Sequence, residues 1–478
     1  MFVILLSVYI GWLIGLVMAT VILIISGHGW GPLPHLYVKL VKFLQSFYPN
    51  SYPLTDALWP AIIKRCDTSY LMKHRTDSLS SFKFSKIPMI SAFDLCADAF
   101  KAGFEAIVQD QMSIAFDSAP PFYSTLLERP GRLPFPDASR RISRRHIIGY
   151  FIATAFRYGV LLPIRLCLIM ISFLFSTSAV VADQFMDMTD EQRVRVGVLY
   201  CRLFCAGIGL VAKYHNRQNR PKQPGIFSSY HNNAGIAVAN HLSPNDVQVI
   251  YADSDPSEGY GFTVTGQRHG GIIWFVERIA ERFIPTLWLE RRSTTDRKRF
   301  MHDVLREAKS SGPVLLFPEG VCTNNTRVLQ FRRAIFEDDV VIYPIAIRQN
   351  PRYGDSFWYE PKFWRYLLRV LTSWAIVYDV TYLEPQQKQP GESNQDFAQR
   401  IQEAIAQTAD VESISLDGRL WYIKSEQERL KTIQMKNIAK CLKDLISKRS
   451  SGMNSQRLLN GIRSSTVSRI STDKLSYL

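Results

Sequence analysis

The sequence has few cysteines, and their spacing argues against the two usual roles of clustered cysteine. The seven cysteines are scattered along 478 residues, their number is odd, and no two form a C-x-x-C pair. Neither a secreted disulfide framework nor a zinc site is therefore expected. The reduced, cytosolic side of a membrane is the expected location of the soluble part of the chain.

Charge is missing from the N-terminal segment 2–26, which is almost wholly apolar. The segment is long enough to span a bilayer with some tilt. A cleaved signal peptide is the alternative, but no Lys or Arg precedes the apolar run and the run is too long. Basic residues follow it, and the positive-inside rule then places the next part of the chain in the cytosol. Residues 1–30 are therefore predicted to be a transmembrane anchor.

Acidic residues are outnumbered, since 57 Lys and Arg face 42 Asp and Glu and the formal net charge is +15. This balance favours an anionic partner. The sequence has no recognition-helix or RNA-binding signature, so nucleic acid is not the expected partner. The basic residues cluster at 140–145 and in the tail 424–478, and their position beside apolar runs favours an anionic membrane surface. The end of the tail is Ser-rich and is predicted to be disordered.

Between the anchor and the main domain, residues 31–145 are predicted to form a helical region, with an amphipathic helix over 90–116 and a linker after it. A second apolar block follows and is interrupted by Arg157, Pro163 and Arg165. Because charges at the bilayer centre are costly, segment 146–185 is predicted to be a hydrophobic hairpin embedded in the membrane, with both arginines reaching the interface. A single full crossing is the alternative.

From about residue 191, short β-branched runs alternate with helical stretches. This alternation predicts an α/β sandwich over 186–423, with a mostly parallel central sheet flanked by helices. The predicted strands are 209–214, 235–239, 260–265, 286–290, 313–317, 340–347 and 374–382, and the predicted helices are 244–252, 269–281, 294–310, 358–371 and 394–408.

The main candidate for chemistry is the segment A-N-H-L-S-P-N-D, at 239–246. Ser243 is a good N-cap and Pro244 a good first helical residue, so His241 is expected in a loop and Asp246 in the first helical turn. The loop can then bring the imidazole to the carboxylate. A hydroxyl nucleophile needs a base, and a carboxylate on the other ring nitrogen stabilises the imidazolium that forms. The alternative is that Asp246 only caps the helix.

Two further segments contain candidate binding residues. In L-W-L-E-R-R-S, Arg291 stands at a strand end and could offer a planar fork to a phosphate, or could be an ordinary surface arginine. In F-P-E-G, Glu319 follows an apolar strand at a tight turn and could bind hydroxyl groups, or could be an ordinary turn carboxylate. Arg332 and Arg333 add positive charge after this turn.

These motifs, together with the strand I-Y-P-I-A-I-R at 342–348, resemble the glycerolipid acyltransferase superfamily, which is defined by N-H-x4-D and F-P-E-G. Segments outside the motifs resemble, more narrowly, the microsomal glycerol-3-phosphate acyltransferases of animals. These segments are R-Y-G-V-L-L-P, G-Q-R-H-G-G, N-N-T and T-S-W-A-I-V. The likeness runs from about residue 85 to residue 425.

The resemblance implies His241 as the base and Asp246 as its partner. It also implies a glycerol phosphate site, which comprises Arg291, Glu319, Gly320, Pro318, Asn240, Arg332 and Arg333. Acyl-coenzyme A would be the co-substrate, with no cofactor and no metal, and lysophosphatidic acid would be the product for phospholipid and triacylglycerol synthesis. The implied location is the endoplasmic reticulum membrane, with the catalytic domain facing the cytosol.

Three departures from the family pattern leave alternatives open. Val321 stands where Thr is usual, Ala334 replaces a usual Gly, and the stretch 223–234 is longer than usual. Ala334 would strain its loop if a positive φ were required there. A catalytically silent membrane scaffold is one alternative, although the retained His241 and Asp246 argue against it. An enzyme that acylates lysophosphatidic acid is the other.

Overall fold

The computed structural model describes residues 1–27, 32–48, 114–116, 123–127, 144–221, 235–254, 262–268, 270, 272–289, 294–310, 313–429, 432–433 and 436. The chain divides into two compact units. One is made of Met1–Leu54 and Ala115–Ser413 and the other of Thr55–Ile114 and Ile414–Leu478. The sheet and the long helices belong to the first unit, and a short helix, Arg419–Tyr422, belongs to the second.

Within the described residues, two helical runs are long and apolar enough to cross a membrane. The first is α1, Phe2–Ile25, and a shorter helix, α2, follows at Pro32–Ser46. The second run, Arg144–Met186, comprises α3 (Arg144–Phe156), a π-helical turn (Arg157–Leu161) and α4 (Leu162–Met186).

Residues 144–186 are helical throughout, with no reversing turn among them. A π-helical turn instead accommodates Pro163, which cannot donate to the carbonyl of Gly159 in the α-helical pattern. The Tyr9 hydroxyl of α1 donates to that carbonyl. How this run sits in a membrane stays a prediction.

The two arginines of this run do not reach outwards, which contradicts the expectation that they extend to a lipid interface. Arg157 and Arg165 are each 5% exposed. Arg157 donates to the carbonyl of Thr372 at 2.9 Å, and Arg165 donates to the carbonyls of Ser373 and Trp374 at 2.7 and 2.6 Å. The buried guanidinium groups therefore join the apolar run to the main domain, because backbone carbonyls take the place of water as their acceptors.

Seven strands of the described chain form one sheet in the order β1-β8-β7-β2-β5-β3-β4. Every neighbouring pair is parallel except β7 with β8, so the expectation of a mostly parallel sheet is confirmed. The strands are β1 Leu210–His215, β2 Ile236–Ala239, β3 Thr263–Gln267, β4 Thr286–Leu289, β5 Val314–Leu316, β7 Ile342–Asn350 and β8 Ile376–Tyr382, with β6 (Arg327–Val328) and β9 (Glu412–Ser413) forming a separate pair.

Strand β2 lies in the middle of the sheet and is fully buried on both faces. Side chains alternate along a strand, so Ala237 and Ala239 join one core cluster while Ile236 and Val238 join another. A continuous apolar run is typical of a parallel strand covered on both sides. The residues that follow β2 are therefore held by a rigid support.

Helices flank the sheet, and the five expected for the domain are present with ends shifted by at most five residues, whereas Asp190–Gly207 (α5) was not expected. Helix α5 begins with a capping box formed by Thr189 and Gln192, and α10 begins with Ser393, whose side chain accepts from the N–H of Asp396. The helices are α5 Asp190–Gly207, α6 Asp246–Ala252, α7 Ile272–Ala280, α8 Thr294–Ser310, α9 Phe363–Leu371 and α10 Asn394–Ala409.

Several expectations lie wholly or largely outside the described residues. They are the helix over 90–116, of which only 114–116 are described, the linker before residue 144, the end of the basic tail, and the stretch 223–234. The predicted boundaries of the domain, 186–423, stay a prediction.

Candidate active site

Two motifs meet because their strands are neighbours in the sheet. β2 and β5 are parallel and paired, with Ile236 opposite Val314. Asn240 and His241 follow the carboxyl end of β2, and Phe317-Pro318-Glu319 follows the carboxyl end of β5. Ligands of open α/β sheets bind beyond the carboxyl ends of the strands. The sheet therefore brings N-H-x4-D and F-P-E-G to one edge.

His241 and Asp246 contact each other as the sequence predicts. Nδ1 of His241 lies 2.9 Å from Oδ2 of Asp246. The carboxylate can only accept, so Nδ1 carries the proton and the other ring nitrogen, Nε2, is the one able to act as a base. The His241 side chain is 19% exposed and that of Asp246 is fully buried. The Asp246 carboxylate is thus shielded from solvent, whereas the His241 imidazole is partly accessible.

Asp246 also organises the loop that precedes helix α6. Its Oδ2 accepts from the backbone N–H groups of Leu242 and Ser243 at 2.6 and 2.9 Å. Its Oδ1 accepts from the Ser243 hydroxyl at 2.9 Å and from the Tyr378 hydroxyl at 3.2 Å. One carboxylate therefore closes the loop and orients the imidazole, while the helix begins at Asp246 after Asn245 and not after the predicted cap Ser243.

Glu319 supports the backbone of His241. Its Oε1 accepts from the N–H of His241 at 2.8 Å and its Oε2 accepts from the N–H of Leu329 at 2.8 Å, and the side chain is fully buried. Burial raises the pKa of Glu319 to about 8, against the opposite effect of the two N–H donors. Direct contact with the acceptor stays a prediction, and the burial of both oxygens argues against it.

Two further contacts hold His241, one on its ring and one on its backbone carbonyl, and neighbouring groups raise the pKa of the ring. The Phe317 ring stacks on it at 4.3 Å between centroids, and the His241 carbonyl accepts from the N–H of Thr323 at 2.8 Å. Burial lowers the pKa of His241, but Cys322 and Asp246 outweigh burial, so the pKa lies well above 6.5. The imidazole is therefore held in one orientation and is more basic than that of a free histidine.

Asn240 and Gly320 shape the site through the backbone. The Asn240 amide donates to the carbonyl of Ile347 and accepts from its N–H, both at 2.8 Å, and is buried. Gly320 has a φ of +70°, and a Cβ there would lie 2.6 Å from Cζ of Arg332. Only glycine allows this conformation and this approach together. Asn240 thus pins the loop to β7, and Gly320 lets Arg332 lie over the turn.

The remaining predicted residues are three arginines and Ala334. Arg332 and Arg333 are exposed, and the N–H of Arg332 donates to the carbonyl of the buried Pro318 at 3.2 Å. Arg291 lies outside the described residues, so its role stays a prediction. Ala334 lies in a 3-10 turn, Arg333–Ile335, and does not have a positive φ, so the expected strain is absent there.

Sequence reasoning missed a shell of polar residues around Asp246. The Tyr378 hydroxyl lies 3.1 Å from the Ser243 hydroxyl, and the Asn245 amide donates to the Tyr366 hydroxyl at 2.9 Å. Tyr366 belongs to α9 and Tyr378 to β8, more than a hundred residues further along the chain. Only the apolar patterns around these tyrosines could be seen in the sequence, and those patterns predict packing without naming a polar partner.

Comparisons with known proteins agree with this geometry. The Acyltransferase family model matches residues 211–348, which include β2, β5 and both motifs. Glycerol-3-phosphate acyltransferase 3 of Danio rerio is 36% identical over 69% of this chain and 70% of its own length. The protein of the same name from Homo sapiens is 34% identical over 72% of this chain and 75% of its own.

More distant relatives were also found. Glycerol-3-phosphate acyltransferase 4 of Pongo abelii is 33% identical over 69% of this chain and 71% of its own length. The solved structure of the 1-acyl-sn-glycerophosphate acyltransferase PlsC from Thermotoga maritima is 16% identical, aligns with a TM-score of 0.34, and covers 55% of this chain and 91% of that one. From the curated relatives, with both motifs in place, the chain belongs to the glycerol-3-phosphate acyltransferase family.

Proposed function

We propose that this protein transfers an acyl group from acyl-coenzyme A to the sn-1 hydroxyl of glycerol 3-phosphate and releases lysophosphatidic acid and coenzyme A. The observation that carries this proposal is the His241–Asp246 pair, 2.9 Å apart, with the imidazole still partly exposed. The names of the curated relatives supply the acceptor. The product is the first acylated intermediate for phospholipid and triacylglycerol synthesis.

The pair can move a proton in a balanced cycle. Nε2 of His241 accepts the proton of the sn-1 hydroxyl while the hydroxyl oxygen attacks the thioester carbonyl carbon. The tetrahedral intermediate then collapses, the C–S bond breaks, and the coenzyme A thiolate takes the proton from the imidazolium. Asp246 stabilises that imidazolium and keeps the ring in the correct tautomer. No cofactor is needed, because acyl-coenzyme A arrives as the co-substrate.

A phosphate group on the acceptor needs positive charge near this edge of the sheet. Arg332 supports such a site, because its guanidinium lies over the Gly320 turn and Gly320 directly follows Glu319, which holds the His241 backbone. Arg333 is exposed beside it, and Arg291 is the third candidate. Glycerol 3-phosphate would then be held by its phosphate while its far hydroxyl reaches the imidazole.

The proposed location is the endoplasmic reticulum membrane, with the catalytic domain facing the cytosol. α1 and the run Arg144–Met186 are the candidate membrane segments. Coenzyme A thioesters are cytosolic, and basic residues such as the cluster at 140–145 favour the cytosolic side of a membrane. Protease protection in sealed microsomes, with one tag in the 131–139 segment and one at the C-terminus, tests this orientation. Both tags should be cleaved without detergent.

The acceptor is tested by offering each candidate separately. Microsomes from cells expressing the full chain would receive labelled oleoyl-coenzyme A with either glycerol 3-phosphate or 1-acylglycerol 3-phosphate. The proposal requires labelled lysophosphatidic acid from the first, and its absence in the His241→Ala variant. If phosphatidic acid formed only from 1-acylglycerol 3-phosphate, the protein would instead catalyse the following acylation step. No product from either would instead favour a silent scaffold.

A further inference from the structure

An exposed aromatic surface stands on helix α9 and the residues before it. We call it the α9 surface, and Trp364, at its centre, is 56% exposed. The opposite face of the helix is buried through Tyr366 and Val370. Large exposed aromatic groups clustered on one short segment mark an interaction site more often than chance does. The members of the α9 surface are Trp358, Tyr359, Phe363, Trp364 and Leu368.

The exposed charged side chains within the α9 surface are both basic. Lys362 and Arg365 are exposed, and the Arg365 guanidinium lies over the Trp364 ring at 5.4 Å from its centroid. The neighbouring acidic residue, Glu360, is neutralised by an ion pair with Arg369. Exposed aromatic groups with basic residues between them are typical of protein surfaces at the headgroup level of an anionic bilayer.

The α9 surface is continuous with the apolar part of the chain. The turn that follows α9, Thr372 to Trp374, receives the buried guanidinium groups of Arg157 and Arg165 from the apolar run. Helix α2 attaches to the same turn, because the Tyr37 hydroxyl donates to the carbonyl of Trp374 at 3.0 Å. Three elements with exposed apolar faces thus converge on one turn. The exposed large apolar side chains of α2 are Leu33, Leu36, Leu40, Phe43 and Leu44.

The same helix touches the catalytic loop on its buried side. The Tyr366 hydroxyl accepts from the Asn245 amide at 2.9 Å, and Asn245 directly precedes Asp246. Arg369 braces the segment before the helix by donating to the carbonyl of Phe357 at 2.6 Å. One hydrogen bond thus links the buried side of α9 to the loop that holds the His241–Asp246 pair, so the depth of α9 in a membrane would set the height of the active site.

We propose that the α9 surface lies in the headgroup layer of an anionic phospholipid bilayer and holds the active site at the membrane surface. An acyl donor and an acylated product both carry chains that favour the bilayer, whereas glycerol 3-phosphate arrives from water. Helix α9 would place the catalytic pair at the boundary between the bilayer and water. The proposal rests on the part of the proposed function that places the protein at a membrane. It does not depend on catalysis.

A photo-crosslinking experiment on the full chain tests this proposal without reading enzyme activity. Benzoylphenylalanine would replace Trp364, or Gln407 as a matched control. Gln407 is exposed on α10, whose buried residues belong to the other core cluster. The protein would be reconstituted in nanodiscs of phosphatidylcholine with phosphatidylserine. We expect the yield of lipid adducts to be several-fold higher at position 364 than at position 407.

Equal lipid yields at the two positions would overturn the proposal, and so would an adduct at position 364 with a second copy of the chain in place of lipid. A charge-reversed variant, with Lys362→Glu and Arg365→Glu, tests the anionic preference. Its lipid yield at position 364 should fall in discs that contain phosphatidylserine and change little in pure phosphatidylcholine. An equal fall in both kinds of disc would contradict the preference. Acylation assays on the same samples report the proposed function independently.

Discussion

The carboxylate of Glu319 accepts a hydrogen bond from the backbone N–H of His241 at 2.8 Å, although the two residues are 78 positions apart. Its other oxygen accepts from Leu329. The F-P-E-G turn therefore acts as a brace for the N-H-x4-D loop. Support of the His241 backbone and direct contact with the acceptor, which stays a prediction for Glu319, would give different kinetics.

Glu319→Gln should lower kcat with little change in KM for glycerol 3-phosphate. A glutamine keeps one acceptor but sets its amide donor against a buried N–H, at a cost of about 1–3 kcal/mol. The loop that holds His241 would shift and the melting temperature would fall. Glu403→Gln, at an exposed position of α10, is the matched control and should change neither quantity. A large rise in KM for glycerol 3-phosphate, with unchanged kcat and melting temperature, would restore direct acceptor binding.

His241→Ala should abolish transfer while the protein stays folded. Loss of a general base costs about 10²–10⁴ in rate, and more where the base acts as a unit with its partner. His302→Ala is the control, because that side chain is 76% exposed on α8. Initial rates and thermal unfolding of the two variants would be compared side by side. Turnover near the wild-type level in His241→Ala would disprove the role of this imidazole as the base.

The pH profile should carry the signature of the pair. Neutral imidazole is the active form, and the pKa of His241 is raised, so the acid limb of kcat/KM should lie above pH 6.5 and activity should rise with pH through it. Asp246→Asn removes one cause of the raised pKa of His241. Its acid limb should therefore move to lower pH while the maximal rate falls. An acid limb that stays in place would mean that another group titrates.

Asp246→Asn is also expected to destabilise the protein, since hydrogen bonds from Leu242, Ser243 and Tyr378 converge on the carboxylate. Ser243→Ala is the comparison that separates capping from catalysis, because it removes a contact of Asp246 and leaves His241 untouched. We expect both variants to melt earlier and only Asp246→Asn to lose most of its turnover. Similar losses of turnover in the two would favour a purely structural role for Asp246.

Local patterns were enough to predict the seven strands of the sheet, five helices beside it and the His241–Asp246 contact, but not helix α5 or the β6–β9 pair. The contact depends on a loop and a helix start that lie within a few consecutive residues, although the cap is Asn245 and not the predicted Ser243. The buried strand β2 could be recognised because its apolar run is continuous. The brace from Glu319 could not be predicted, since it depends on the pairing of β2 with β5 and on the N–H of a loop residue.

The burial of Arg157 and Arg165 could not be predicted for a related reason. In a helix that stands alone in lipid, the missing donor of Pro163 and the two charges are costly. In the fold, a π-helical turn absorbs Pro163, and carbonyls of the turn after α9 accept from both arginines. Those carbonyls are more than two hundred residues away in sequence. The sequence pattern within the apolar run does not indicate hydrogen-bond acceptors so far along the chain.

Arg165→Met should detach the apolar run from the main domain. Arg165 donates to the carbonyls of Leu371, Ser373 and Trp374 at 2.6–2.8 Å, and Met leaves all three without this donor. A hydrogen bond to a charged group contributes about 1.5–3 kcal/mol, so the variant should melt well below the wild type in detergent. Arg165→Lys should lie between the two, because an ammonium keeps the charge but loses the planar fork.

Two further variants decide whether the guanidinium of Arg165 is what joins the two parts. Gly209 packs against it with a φ of +72°, so Gly209→Ala should also lower the melting temperature, through backbone strain together with the clash against Arg165. Arg195→Ala, which removes an exposed ion pair with Glu191, is the control and should have little effect. Equal melting temperatures for Arg165→Met and Arg195→Ala would mean that the carbonyls of the turn find other donors and that the two parts are joined by apolar packing alone.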